Sequence, residues 1–194
     1  WREHPSLVWA GSTLLNLDGA VHTRLRRQVF RSFTRATVDR LRPLVERLAN
    51  SLIDEMFERG GGDVMAGVSY RLPITVIGEL LGVPEADLLS FRERTLALTA
   101  AFELGAGREL LDAADTAATE SIEYFDRLIA QKHVDPGDDL ISQLVRAQQA
   151  KDDADALTDD EINSLAMLLF FAGFETTSNV IGNGVLALLD SPEQ

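Results

Sequence analysis

One long helix near the end of the 194-residue chain constrains the fold more than any other feature. Thr158 and Glu161 form a T-x-x-E capping box that predicts a helix start, and Pro192 predicts its stop. The roughly thirty residues between them span about 45 Å as a helix. Apolar residues fall on every face of it, namely Leu165, Met167, Leu168, Leu169, Phe170 and Phe171. We therefore predict a helix wrapped by other elements in a mainly α protein.

A chemically unusual segment, A-G-F-E-T-T at 172–177, interrupts this apolar run. Charged side chains are rarely buried unless they are paired, which makes Glu175 a functional-site candidate. The hydroxyl of Thr176 is predicted to bond the carbonyl of Ala172 and bend the helix, while Gly173 leaves a groove for a flat ligand. The alternative is a tight helix crossing at Ala172 and Gly173, with Glu175 paired to an Arg.

A second candidate site lies near the amino end. Asp18 is placed to cap a helix that carries His22 and Arg26 at positions i and i+4. Both side chains then leave one face and can bind the same anionic group. The alternative is an Arg-rich solvated face with an incidental His.

The order and surroundings of these motifs resemble those of a known family. The stretch 17–33 reads LDGAVHTRLRRQVFRSF, followed by ELLGVP at 79–84, PGDDL at 136–140 and AGFETT at 172–177. This series is similar to bacterial cytochrome P450 haem-thiolate monooxygenases. The resemblance covers nearly the whole chain, and it implies a mainly α, partial cytochrome P450 fold.

The resemblance also implies a cofactor and residue roles. The cofactor is haem b, used with dioxygen and an external reductant delivered by a redox partner. His22 and Arg26 are expected to hold the haem propionates. Ala172 and Gly173 are expected to let the long helix approach the porphyrin.

The remaining implied roles concern catalysis and substrate. Thr176 and Glu175 are expected to deliver protons to the reacting dioxygen. Leu168 and Phe171 are expected to line the pocket above the iron and to favour a small apolar substrate, into which one oxygen atom is inserted.

Two parts of the family pattern are missing. The chain contains no cysteine, although a haem-thiolate enzyme needs Cys as its axial iron ligand. No Glu in it has Arg three residues on, so the E-x-x-R pair of the family is also missing. Both lie further downstream in the family. We therefore expect residues 1–194 to be an incomplete P450 domain that lacks its carboxy-terminal haem-thiolate half and is inactive alone. Two alternatives remain: a haem-free helper subunit that binds a partner enzyme, and an unrelated all-α binding domain.

Charge is distributed unevenly along the chain. Residues 1–47 carry a net charge of +5, and the rest carries −18. Eight arginines lie between Arg24 and Arg47. The resemblance implies that a ferredoxin-like or flavin-containing redox partner docks on this Arg-rich face, whereas the alternative is a solvated helix that docks nothing. The overall net charge of −13 makes nucleic acid a poor partner.

The rest of the chain is predicted to be helical. We expect helices over 41–57, 63–81, 85–101, 108–131 and 138–150, with Pro43 near the start of the first and a kink at Pro73 in the second. Gly60–Gly62 is predicted to end the first helix. We expect any small sheet to lie outside the chain or in its first dozen residues. His4 and His133 have no partner at metal-ligand spacing. Without cysteines, a secretion signal or an apolar run of 18 residues, the protein is expected to be cytoplasmic, with no membrane contact.

Overall fold

The computed structural model describes residues 3–100, 107–150, 156–191 and 193, and these residues form helices without any strand. The eight α-helices are α1 (Pro5–Ser12), α2 (Gly19–Ser32), α3 (Arg35–Glu58), α4 (Arg71–Leu81), α5 (Leu88–Ala100), α6 (Arg108–Val134), α7 (Leu140–Gln149) and α8 (Asp159–Asp190). A π-helical turn, Met65–Ser69, precedes α4, and a 3₁₀ turn, Glu85–Asp87, precedes α5. The mainly α part of the predicted fold class is therefore confirmed.

α8 is the central helix. Its capping box forms as predicted, with the Thr158 hydroxyl accepting from the Glu161 backbone and the Glu161 carboxylate accepting from the Thr158 backbone. α8 packs on α4 and α6, and its amino half carries an aromatic core in which the Phe170 and Phe91 rings lie 4.5 Å apart. The helix ends at Asp190, and Pro192, the predicted stop, lies outside the described residues.

Among the described residues, α8 is not wrapped on every face as predicted, because its carboxyl half is open. Burial stops at Ser178, beyond which Val180 is 70% exposed and Leu189 72% exposed. Within the described chain, the π-helical turn and α3 flank only one side of this half. α8 is also long and apolar enough to cross a membrane, a test that core helices of soluble proteins pass as well.

Other predicted boundaries also change. α3 begins at Arg35 because the Thr34 hydroxyl accepts the Thr37 backbone N–H, so Pro43 lies inside the helix rather than near its start. The predicted 63–81 helix divides into the π-helical turn and α4. Pro73 then falls in the first turn of α4, where its missing N–H costs no helical hydrogen bond.

The predictions for the amino end and for the glycine triplet have different outcomes. Residues 3–12, the described part of the first dozen, contain α1 and no strand, and α1 packs on α6. Gly60 and Gly61 end α3 with φ values of 77° and 115°, as the glycine triplet predicted. Ala101, Gly105 and Ala106 of the predicted 85–101 helix and its following break lie outside the described residues.

Candidate functional site

One face of α8 carries part of the predicted site. Leu168, Ala172 and Thr176 follow one another at four-residue spacing, so their side chains leave the same face. Ala172 and Thr176 are exposed, and Leu168 is half-buried. The Thr176 hydroxyl donates to the Ala172 carbonyl over 2.5 Å, which confirms the predicted back-bond. We call this the open face of α8.

Gly173 does not contribute to the open face. It lies against α4, where a Cβ added to it would stand 3.1 Å from Cδ1 and 3.3 Å from Cγ1 of Ile77. The missing side chain therefore permits a close crossing of α4 and α8, rather than the open groove expected from the sequence. A tight crossing at this point was the structural alternative for the motif.

Glu175 is half-buried, not fully buried as the sequence suggested. Within the described part of the chain, its carboxylate forms no ion pair and accepts no side-chain hydrogen bond. The pairing with an Arg that the structural alternative required is therefore not found among these residues.

Phe171 lies in the core instead of the open face. Its side chain is 8% exposed, and its ring meets that of Trp9 in α1 edge to face at 5.6 Å. One residue is a 100° rotation on a helix, which carries Phe171 away from Ala172. Of the two predicted pocket residues, only Leu168 shares the face of Ala172 and Thr176.

α2 presents the predicted anion-binding pair. His22 is half-buried, while Arg26 is exposed with its guanidinium 4.9 Å from the centre of the Phe30 ring. In the described chain, neither side chain meets a carboxylate. Asp18 occupies the N-cap position of α2, but its side chain makes no capping hydrogen bond.

An ion pair that the sequence did not predict joins α2 to α8. The Arg24 guanidinium binds both carboxylate oxygens of Glu161, 137 residues away, and its Nη1 also donates to the Ala156 carbonyl over 3.3 Å. Burial raises the pKa of Glu161, but hydrogen bonds from Arg24 and Thr158 outweigh it and hold that pKa below its ordinary 4.5. Only the capping role of Glu161 was readable from sequence, because local spacing does not reveal a distant partner.

The Arg-rich 24–47 face divides into two parts. Arg24 belongs to the ion pair with Glu161 and is three-quarters buried. Further along, on α3, Arg35 and Arg42 share Asp39 over 3.6 and 3.9 Å, and both guanidinium groups face solvent. Arg40 and Arg47 are exposed as well.

The described residues contain no cluster of His, Cys, Asp and Glu able to hold a metal ion, and the whole chain has no cysteine. His4 and His133 instead bind Asp115 and Asp159 over 2.6 and 3.0 Å. An apolar groove of about 640 Å³ lies elsewhere, between α3, the π-helical turn and the exposed half of α8.

Together, these features define a mainly α protein built round one long helix with a polar break on its open face. A profile of the family described as "Cytochrome P450" matches residues 103–194. The chain is 39% identical over 184 residues to Cytochrome P450 107B1 of Saccharopolyspora erythraea, covering 95% of this chain and 43% of that protein. It is 42% identical over 183 residues to Cytochrome P450 monooxygenase PikC of Streptomyces venezuelae, covering 93% and 42%.

Solved structures agree with these relatives. The chain resembles P450BioI, solved in complex with an acyl carrier protein that bears hexadec-9Z-enoic acid, with a TM-score of 0.90 and 29% identity over 98% of this chain and 48% of that one. It resembles the Bacillus subtilis cytochrome P450 PksS with a TM-score of 0.83, 34% identity and coverage of 97% and 46%.

The chain belongs to the cytochrome P450 family, and it spans less than half the length of these relatives. The family prediction made from the four sequence motifs is thereby confirmed. The alternative of an unrelated all-α binding domain is wrong.

Proposed function

We propose that this chain forms the propionate-binding and oxygen-side helices of a haem-dependent monooxygenase. The observation that carries the proposal is the open face of α8, where Ala172 and Thr176 stay exposed although the core-forming amino half of the helix buries Phe170, Phe171 and Phe174 beside them. When bound, the haem supplies reductive activation of dioxygen and transfer of one oxygen atom to a C–H or C=C bond. The relatives named as a monooxygenase and as hydroxylases favour an enzyme over a haem-free helper subunit.

The residues on α2 fit the anionic edge of a haem. His22 and Arg26 are cation-forming side chains one turn apart, and no carboxylate of the described chain competes for them. Charged hydrogen bonds to a carboxylate are stronger than neutral ones, so two such donors suit the propionates. Arg24 is committed to Glu161 and is not available for that role.

The iron ligand does not come from this chain, which has no cysteine. Residues 1–194 therefore fit one side and one edge of a haem but not its axial thiolate. We propose that they are an incomplete P450 domain and that sequence outside them supplies the Cys. Haem b is the form of the cofactor that we propose.

Thr176 and Glu175 are proposed to move protons at the open face. The Thr176 hydroxyl gives its own hydrogen to the Ala172 carbonyl, which leaves the lone pairs of its oxygen free to accept a hydrogen bond. Thr176 thus orients a proton donor such as water rather than donating in this rotamer. Glu175, one residue away and without a partner in the described chain, is the nearby group able to exchange that proton with solvent.

Substrate contacts at this face are apolar. Ala172 and the half-buried Leu168 offer no hydrogen bond from their side chains, so we propose a small apolar organic substrate. Phe171 affects this site only through its packing with Trp9. Relatives are named for hydroxylation of vitamin D(3) in Pseudonocardia autotrophica and of mycinamicin IV in Micromonospora griseorubida.

Electrons are proposed to arrive through a ferredoxin-like or flavin-containing partner on the Arg-rich 24–47 face. The solvent-facing guanidinium groups of Arg35, Arg40 and Arg42 on α3 support an acidic partner, since complementary charge raises association rates. Reversing the charge of Arg40 should slow reduction more at low salt than at high salt. We propose a cytoplasmic protein that binds neither nucleic acid nor membrane.

Isotope incorporation tests the proposed reaction. The complete protein, supplied with a reductase system, an apolar substrate panel and labelled dioxygen, should yield a product that carries one labelled oxygen atom. Product labelled only from water, or reductant consumption without any oxygenated product across the panel, would contradict the monooxygenase assignment.

A further inference from the structure

The ion pair between Arg24 and Glu161 connects the two helices that carry the proposed haem contacts. Arg24 lies on α2, two residues from both His22 and Arg26. Glu161 lies in the first turn of α8, upstream of Ala172 and Thr176. Both side chains are about three-quarters buried, with 25% and 23% exposed, so solvent weakens this pair less than an exposed one.

Arg24 does not share the ligand of His22 and Arg26. Residues two apart on an α-helix point about 200° apart, so Arg24 leaves the opposite side of α2. Its guanidinium binds the Glu161 carboxylate and the Ala156 carbonyl. Any effect of Arg24 on haem must therefore act through the placement of α2.

Glu161 sits on the open face of α8 at its amino end. Ala172 and Thr176 follow it by 11 and 15 residues, positions that return to nearly the same side of the helix and lie about 16 and 22 Å along it. A contact at Glu161 therefore fixes α2 against the same face that presents Ala172 and Thr176. Glu161 is itself held in place by the capping box with Thr158.

α2 also joins the core through buried apolar side chains, including Leu25 and Val29. Apolar burial is non-directional and does not set the rotation or register of a helix. A guanidinium that binds both oxygens of a carboxylate does set them, because the two groups meet in one planar geometry.

We propose that Arg24 and Glu161 are positioning residues that set α2 against α8, and thereby aim His22 and Arg26 at the haem propionates. This inference rests on the proposed function, which supplies the haem. It assigns the pair a role beyond general stabilisation of the fold.

A double-mutant cycle in the complete, haem-loaded protein tests the proposal. The measured quantity is the rate at which haem passes to an excess of a haem-scavenging protein. Arg24→Gln and Glu161→Gln should each speed haem loss about tenfold, which corresponds to the interaction energies found between residues of one ion-pair network. The double variant should lose haem little faster than either single variant. Glu161→Gln retains a side chain that completes the capping box, so it removes only the charge. Arg127→Gln, an exposed arginine on α6 that pairs with Glu123, is the charge-matched control and should leave haem loss unchanged.

The decisive arm places Arg24→Gln in a protein that already carries His22→Ala and Arg26→Ala. If Arg24 acts by aiming that pair, its substitution should have no further effect on haem loss there. The same acceleration with and without His22 and Arg26 would overturn the proposal, as would unchanged haem loss in Arg24→Gln accompanied by a lower thermal stability. Failure of the wild-type protein to take up haem would instead contradict the proposed function, and the inference with it.

Discussion

Gly173 of α8 and Ile77 of α4 approach so closely that a Cβ added at Gly173 would lie 3.1 Å from the Cδ1 atom of Ile77. Contacts at this distance are tighter than most in packed proteins, so the neighbour has to shift to admit a methyl group. The glycine of the A-G-F-E-T-T segment is thus required by the crossing of two helices, while its neighbour Ala172 faces outward.

Gly173→Ala should therefore depend on the residue at position 77. Overpacking costs about 1 to 3 kcal/mol, against about 0.8 to 1 kcal/mol gained by replacing Gly with Ala in a helix. Ile77→Val removes the Cδ1 atom that stands in the way. The measured quantity is the free energy of unfolding of the complete protein, obtained with heat or denaturant. We expect the change caused by Gly173→Ala to be at least about 1 kcal/mol less favourable when Ile77 is present than in the Ile77→Val background.

The control for this pair of substitutions is Gly184→Ala, since Gly184 lies on the exposed half of α8 and no described residue stands within 4 Å of a Cβ added there. That substitution should stabilise the protein regardless of the residue at position 77. Equal effects of Gly173→Ala in the two backgrounds would show that the close approach to Ile77 has no energetic consequence.

Local relationships in α8 were predictable from the sequence, and distant ones were not. The capping box of Thr158 and Glu161 and the back-bond from Thr176 to Ala172 join residues three or four apart, where helix geometry fixes the partner. Arg24 and Glu161 are 137 residues apart, and no periodicity encodes their meeting.

The misplaced pocket residue has the same origin. A helix that is apolar on every side gives no periodicity from which to choose its open face. The resemblance implies a pocket role for Phe171, whereas its ring packs edge to face on Trp9 in the core. The resemblance to the family predicts the fold. It does not show that Phe171 packs against Trp9 of α1 and therefore faces the core.

Thr176→Ala should uncouple reductant consumption from product formation in the complete protein, because the oxygen that orients the proton donor is lost. Haem and substrate binding should stay close to wild type, while product formation falls about 100-fold to 10,000-fold, the usual loss for a positioned proton relay. The measurement is product formed per reductant consumed. Thr177→Ala, at the exposed neighbouring position, should keep the wild-type ratio. An unchanged ratio in Thr176→Ala would mean that this side chain only packs.

Replacing both His22 and Arg26 by Ala should weaken haem retention in the complete protein. Hydrogen bonds to charged groups contribute about 1.5 to 3 kcal/mol each, so loss of both donors should be plainly measurable in a haem-transfer assay. The comparison is a protein with Arg27 and Arg31 replaced by Ala, since these arginines leave other faces of α2. Equal losses from the two double variants would point to general positive charge instead of a specific pair.

Acid should weaken the attachment of α1 to α6. The Asp115 carboxylate accepts hydrogen bonds from Ser6 and binds His4. Burial raises the pKa of Asp115, but the hydrogen bonds of Ser6 and His4 outweigh it and lower that pKa below 3.8. A carboxyl whose folded pKa is depressed stabilises the protein above its unfolded pKa and loses that contribution as pH falls.

The test compares melting temperatures of wild type and Asp115→Asn across pH. The advantage of wild type should be constant above about pH 5 and should shrink as the pH falls through 3.8, the ordinary value of an Asp. An advantage that persists unchanged below that range would show that the charge of Asp115 does not hold α1.

The central proposal is that this chain is the thiolate-free part of a haem-thiolate enzyme. The deciding measurement is the absorption spectrum after reduction and addition of carbon monoxide, recorded for the complete protein and for residues 1–194 alone. The complete protein should show the Soret band typical of a thiolate-ligated haem, and residues 1–194 should not, because they contain no cysteine. A complete protein that takes up no haem, or a thiolate-type band from residues 1–194 alone, would contradict it.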